Sequence, residues 1–115
     1  MTTKDNYILT LMRIPGSKNE SQPIKKKPVL LLQHGLEADA SSWVINHPDL
    51  APGFIYSRAG YDVWLGNNRG CYYSLGHKTL NSSIEEDKPA YYDFDFEDMG
   101  LYDLPAEIDF ILTKT

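Results

Sequence analysis

A run of aliphatic residues that ends in glycine is a way of presenting backbone amides. Here Pro28-Val-Leu-Leu-Leu-Gln-His34 runs straight into Gly35 and Leu36. A backbone N–H is a fixed donor that loses no side-chain entropy when it meets a developing negative charge. Gly35 permits the angles of a tight turn and leaves room for a bound molecule. The N–H of Leu36 is therefore a candidate oxyanion donor, with His34 and Gly35 supporting its turn. One such donor supplies roughly 2.7–4 kcal/mol of transition-state stabilisation. As an isolated dipeptide, His-Gly would only close a strand at a turn. The apolar approach to it adds weight.

Other groups carry less chemistry. Gly66-Asn-Asn-Arg-Gly70 has the outline of a nucleophile elbow, but Asn68 stands at its centre and an amide is no nucleophile. Asn67, Asn68 and Arg69 are expected to hydrogen-bond the backbone of the loops that follow. His34, His47 and His77 are widely spaced, with no H-x-x-x-H and no cysteine partner, which argues against zinc. Ser74 and His77 make a nucleophile–base pair on paper only. Asp93, Asp95, Glu97 and Asp98 lack the spacing of an EF-hand loop. They are expected to collect at the positive end of a helix. Tyr91, Tyr92, Phe94 and Phe96 read as core or interface rather than as a lipid groove. Nothing in the sequence calls for a metal or a cofactor.

These residues need elements to position them. Asn6–Ile14 is β-prone and stops at Pro15-Gly16, which predicts a strand and a turn. Pro28–His34 is a continuous apolar run, as in an interior strand of a mostly parallel sheet. A helical turn is expected near Ser42–Ile45. Pro52–Gly60 predicts a helix, with Pro52 in its first turn and Gly60 as a left-handed stop. Tyr61–Gly66 is the next strand, which completes a βαβ unit. Asn67–Asp95 is a long irregular span, and such spans are usually functional or partner-facing. Phe96–Thr115 reads as helical, with Asp103 as N-cap and Ala106, Phe110 and Thr113 on one stripe.

The 115 residues are 42% hydrophobic, enough for the core of one domain. The net charge of -5 argues against a nucleic-acid partner. The one basic cluster, Lys25–Lys27, reads as a solvated guard beside the apolar run. Cys71 is the single cysteine, so no internal disulfide is possible. No apolar stretch has transmembrane length, and the first residues hold no signal-peptide core. Asn19-Glu-Ser21 and Asn81-Ser-Ser83 are candidate N-glycosylation sites.

Four blocks say more. "DNYILTLMRIPGSKN", "KPVLLLQHGLEADASSWVIN", "GFIYSRAGYDVWLGNNRGCYYSLGHKTL" and "YDFDFEDMGLYDLPAEIDFIL" resemble the acid lipases of the gastric and lysosomal type. The resemblance covers nearly the whole chain. It implies an α/β-hydrolase fold, with residues 1–115 as the N-terminal part of a single domain: opening antiparallel strands, then βαβα of a mostly parallel sheet. It implies a serine carboxylic-ester hydrolase acting on neutral lipid esters, triacylglycerol or sterol ester, at a lipid interface. It also implies a secreted or lysosomal location.

Such enzymes place one oxyanion N–H in the loop after the third strand. That role carries over to Leu36. The family's serine lies in Gly-His-Ser-Gln-Gly, and no Gly-x-Ser-x-Gly occurs here. The serine, aspartate and histidine of the triad therefore do not carry over. The chain alone is expected to be inactive and to work with the remainder of the hydrolase domain. The alternative is a truncated, non-catalytic pseudoenzyme or an interaction module of the same ancestry. Glu37 and Cys71 depart from the family's apolar and polar residues at those places.

Overall fold

Pairing partners break the first apolar run in two. The computed structural model describes residues 1–16 and 26–115. In it Asn6–Ile14 is not one strand but two, β1 (Tyr7–Ile8) and β2 (Met12–Ile14). Nor do these opening strands pair with each other. β1 pairs antiparallel with a strand far along the chain, β5 (Gly76–His77). The segment before it folds back on itself: Leu9 N–H donates to Met1 O at 2.8 Å and Thr3 N–H to Tyr7 O at 2.8 Å. Asn6 makes that reversal at φ 78°, a conformation asparagine tolerates better than most residues.

The main sheet has three strands in the order β2-β4-β3, where β3 is Val29–Leu32 and β4 is Asp62–Leu65. β4 runs antiparallel to β2 and parallel to β3, so the sheet is mixed. The expected interior strand is thus an edge strand among the described residues. Val29 is 40% exposed, whereas all four residues of β4 are buried. An apolar run records that a segment is to be covered, not on which side its neighbours will stand.

β3 and β4 are joined by α1 (Pro52–Arg58), which gives the βαβ unit. Pro52 opens the helix, and Gly60, at φ 98°, ends it. The helix can lie close because Gly53 has no side chain: a Cβ there would sit 3.0 Å from both Trp43 O and Val44 Cγ1. A 3₁₀ turn at Ala40–Trp43 is capped by Asp39, which accepts from Ser41 N–H at 2.8 Å. Leu32, Ala40, Val63 and Leu65 form the main core cluster, and Tyr7, Leu9 and Tyr91 a second one. Each large apolar side chain so buried contributes about 1.5–3 kcal/mol. α2 (Lys88–Tyr91) and β5 are the only regular elements described within the long span 67–95.

The C-terminal helical stretch runs through α3 (Phe96–Asp98), a wide turn at Met99–Asp103 and α4 (Leu104–Lys114). The acidic run caps it. Asp95 accepts from Glu97 N–H at 2.8 Å, and Asp98 accepts from Asp95 N–H at 3.1 Å, a capping box. Asp103 stands at the N-cap position of α4 as expected, but its side chain makes no capping bond. It lies inside the helical path and turns its carboxylate to Arg69. The buried face is Asp103, Glu107 and Ile111 rather than Ala106, Phe110 and Thr113; Thr113 is exposed. Both stripes have helical spacing. The interior takes the first because buried N–H donors there need its carboxyl oxygens.

No described helix is long and apolar enough to cross a membrane. Asn81 is exposed, with its Oδ1 accepting from Ser83 N–H at 2.9 Å. Asn19 and Lys25 lie outside the described residues.

Candidate functional site

The parallel pair β3–β4 delivers two segments side by side. Leu32 faces Leu65 at the end of the ladder, and Gly66 N–H donates to Leu32 O at 3.0 Å. Beyond that point Gln33-His34-Gly35 runs beside Asn67-Asn68-Arg69. The buried His34 accepts the Asn68 N–H on Nε2 at 3.0 Å. An imidazole that accepts at Nε2 and is neutral carries its proton on Nδ1. That Nδ1–H donates to Gly35 O at 2.8 Å. Gly35 O also accepts from Ala38 N–H at 3.2 Å.

Gly35 C=O and Leu36 N–H belong to one planar trans peptide, so they point in opposite directions. Two donors pin the carbonyl, and the N–H is thereby turned away from them. It has no hydrogen-bond partner among the described residues. The Leu36 side chain is 68% exposed.

The turn's unusual backbone angle falls on Glu37, at φ 62°, and not on Gly35. A Cβ on Gly35 would meet nothing within 4 Å. Neither angle nor internal room demands glycine at 35, which corrects the expectation of a turn built on its conformational freedom. The strain sits one peptide beyond Leu36. Glu37→Gly is expected to leave stability unchanged or raise it by up to about 1 kcal/mol, and Glu37→Val to lower it by about 1–2 kcal/mol. Urea midpoints of the three proteins check this.

A cleft of about 640 Å³ opens beside this turn. Leu36, Glu37 and Asp39 border it on one side, Asn68, Gly70 and Cys71 on another, and Tyr92, Phe94 and Met99 on a third. The volume is that of a small-molecule site. Burial pushes the Cys71 thiol up, which keeps it protonated and weakly nucleophilic.

Asn67, Asn68 and Arg69 follow β4, and the last two line the cleft. Asn67 is fully buried: its Oδ1 accepts from Ala40 N–H and its Nδ2 donates to Thr10 O, each at 3.0 Å. Its own N–H donates to Glu107 Oε1 at 3.0 Å. Asn68 Oδ1 accepts from Gln33 Nε2 at 2.8 Å.

The Arg69 side chain is 1% exposed and spans two carboxylates. Nε donates to Asp103 Oδ1 at 2.9 Å, Nη2 to Asp5 Oδ1 at 2.8 Å and Nη1 to Asp5 Oδ2 at 2.5 Å. Its guanidinium lies 4.0 Å from the centre of the Tyr7 ring. Burial opposes the Arg69 charge, but the bonds to Asp5 and Asp103 outweigh it and drive the group further up. Burial also works to raise Asp5, yet Arg69 and Thr3 bring it below the usual carboxylate range. Asp103, wholly enclosed, is lifted by burial despite Arg69. These side chains thus serve earlier backbone and buried acids, not chiefly the loops that follow.

The Ser74–His77 pair is not assembled. The buried Ser74 hydroxyl donates to Asn67 O at 2.8 Å and accepts from Thr10 N–H at 3.0 Å. His77 Nδ1 accepts from the N–H groups of Thr79 and Leu80. No group of three or more metal-binding side chains lies together among the described residues. Sequence reasoning missed Asp5 and Glu107, and gave Asp103 a capping role without its partner Arg69. The spacing of Asp103, Glu107 and Ile111 on one helix face was the available signal.

Residues 1–47 match the family described as a partial alpha/beta-hydrolase lipase region. The matched segment carries β1 to β3 and the His34–Leu36 turn, the elements that build one side of the cleft. The chain is 52% identical over 114 residues to human lysosomal acid lipase/cholesteryl ester hydrolase, covering 98% of this chain and 27% of that protein. To rat gastric triacylglycerol lipase it is 46% identical over 115 residues, covering 100% and 28%. To mouse lipase member M it is 47% identical over 115 residues, covering 100% and 26%. The chain belongs to the acid lipase family. It spans 26–28% of the length of these relatives.

Proposed function

We propose that the protein carrying this chain hydrolyses neutral lipid esters, triacylglycerols or sterol esters, and that the N–H of Leu36 steadies the carbonyl oxygen as it turns negative. The observation that carries this reading is the unpartnered amide beside the cleft, on a peptide whose carbonyl His34 and Ala38 hold from the other side. An amide fixed in advance needs no reorganisation as charge develops. Two relatives named as a cholesteryl ester hydrolase and a triacylglycerol lipase support the substrate class.

Residues 1–115 form the N-terminal part of a single hydrolase domain, and the rest of that domain is this segment's partner. The 115 residues contain no Gly-x-Ser-x-Gly, and Ser74 is committed to structural bonds. The chain by itself is therefore inactive, and the nucleophile stands elsewhere in the protein. The protein is secreted or lysosomal, and Asn81 is exposed as a glycan acceptor must be.

Leu36→Pro removes the N–H and breaks no hydrogen bond among the described residues. In the intact protein it is expected to lower kcat for a triacylglycerol or sterol ester about 10²–10³-fold with little change in KM. Leu36→Ala keeps the N–H and should retain most of the turnover. A folded Leu36→Pro protein within tenfold of its parent would remove the amide from the mechanism.

A further inference from the structure

Two buried oxygens meet over Gly66 with no donor between them. Gln33 Oε1 and Glu107 Oε2 both lack hydrogen-bond partners. Both crowd one point: a Cβ on Gly66 would lie 1.8 Å from the first and 2.6 Å from the second. The Gln33 amide is oriented by its other end, since Nε2 donates to Asn68 Oδ1 at 2.8 Å. Its carbonyl oxygen is therefore the atom presented to Glu107. Glu107 is 0% exposed, and its other oxygen accepts the Asn67 N–H. A carboxylate here would set a full negative charge against a carbonyl oxygen at a fully buried position, a costly arrangement. One proton between the two oxygens satisfies both.

We propose that Glu107 is held as a neutral carboxylic acid whose O–H donates to Gln33 Oε1, that it is thereby a positioning residue for the His34–Leu36 turn, and that its ionisation loosens that turn. Gln33 directly precedes His34, and its amide holds Asn68, whose N–H holds His34 Nε2. Loss of the Glu107 donor turns a closed ring of bonds into one with two acceptors facing each other. Calling the turn functional rests on the preceding proposal; the proton on Glu107 does not.

The neighbours of Glu107 come from several elements. Asp103, one helical turn before it, opposes a second charge. Arg69 is occupied by Asp103 and Asp5. From the sheet side the Asn67 N–H works to lower the carboxyl, as does the Gln33 amide, and burial outweighs both. Burial is the largest influence, and the carboxyl is pushed up to about 7 from an ordinary 4.5. The folded state thus keeps a proton that the unfolded chain releases. The stability this proton confers is full below about pH 4.5 and is lost as the pH rises to about 7. Through that window the folding equilibrium constant falls about tenfold per pH unit on account of this one group.

Glu107→Gln tests it in the intact protein. The glutamine N–H replaces the acid O–H, and its carbonyl keeps the Asn67 bond. Unfolding by urea from pH 4.5 to 8 should show the parent losing ground to Glu107→Gln steadily. At pH 8 the variant should be the more stable by over tenfold in the folding constant. Carbon-13 NMR of the parent should place the Glu107 carboxyl midpoint near neutrality, with the amide signals of Gly35 and Leu36 moving at the same midpoint. A variant less stable than the parent at pH 8, or a carboxyl titrating in the ordinary carboxylate range, overturns the proposal. So do turn amides indifferent to that titration. If Glu107→Gln does not fold, the titration of the parent decides alone. None of these readouts uses ester hydrolysis, so they stand apart from the assay of Leu36→Pro.

Discussion

Replacing Arg69 with methionine is expected to lower the folding free energy by about 3–5 kcal/mol. The size follows from what is left behind. Asp103 is 0% exposed and accepts from Arg69 twice, from the backbone N–H at 2.8 Å and from Nε at 2.9 Å, with Nη2 2.8 Å from Oδ1 as an ion pair. Methionine keeps only the first of these bonds and leaves a carboxyl with no cation in a dry interior. Asp5 loses its partner too, but its side chain is 31% exposed and water can replace the guanidinium. Arg69→Lys should recover little of the loss. A single ammonium cannot bridge two carboxylates in the fork geometry of a guanidinium, nor lie flat over the Tyr7 ring. The shift in the urea midpoint, at an unchanged slope, gives the number. A loss below about 1 kcal/mol would mean that the pairing only balances its desolvation.

The second large effect is expected at Asn67. Asn67→Ala removes three side-chain bonds at once, a weak one from the Cys71 thiol among them, and strands the Ala40 N–H and the Thr10 carbonyl. Ala40 is fully buried, so its amide has no water to turn to. At about 1–3 kcal/mol for each stranded group, a total loss of roughly 2–5 kcal/mol is expected. Asn67→Asp is no remedy. It keeps an acceptor for Ala40, offers nothing to Thr10, and adds a charge next to Glu107, whose Oε1 accepts the Asn67 N–H. Hydrogen exchange locates the damage: the Ala40 amide should lose protection in Asn67→Ala, while amides of α1 keep theirs. Unchanged protection at Ala40 would show that this amide is not held by Asn67.

Both predictions concern residues that sequence reasoning had grouped as ordinary turn formers. Asn, Asn and Arg after a strand do suit a turn. The local rule names their habit but not their partners. Asp5 lies 64 residues before Arg69, Asp103 lies 34 after it, and Glu107 lies 40 after Asn67. No window of helical or strand period spans such distances. The same limit applies to the order of strands among the described residues. Pro28–His34 and Tyr61–Gly66 are both apolar, and only the pairing of β2 with β4 makes the second of them central.

What the sequence by itself determined was set by forces acting within a turn or two of chain. Pro52 and Gly60 bound α1, Asp95 and Asp98 close a capping box, and the strand–helix–strand order yields parallel β3 and β4. Its four blocks also sufficed to recognise the lipase family. The tertiary structure alone decided which face of α4 is buried, where the strain of the His34–Ala38 turn falls, and which carboxyls meet Arg69 and Gln33. The physical reason is that buried polar groups must find donors or acceptors wherever the chain brings them. An acid on a helix and an amide at a strand end come to depend on each other only once the sheet has set them side by side.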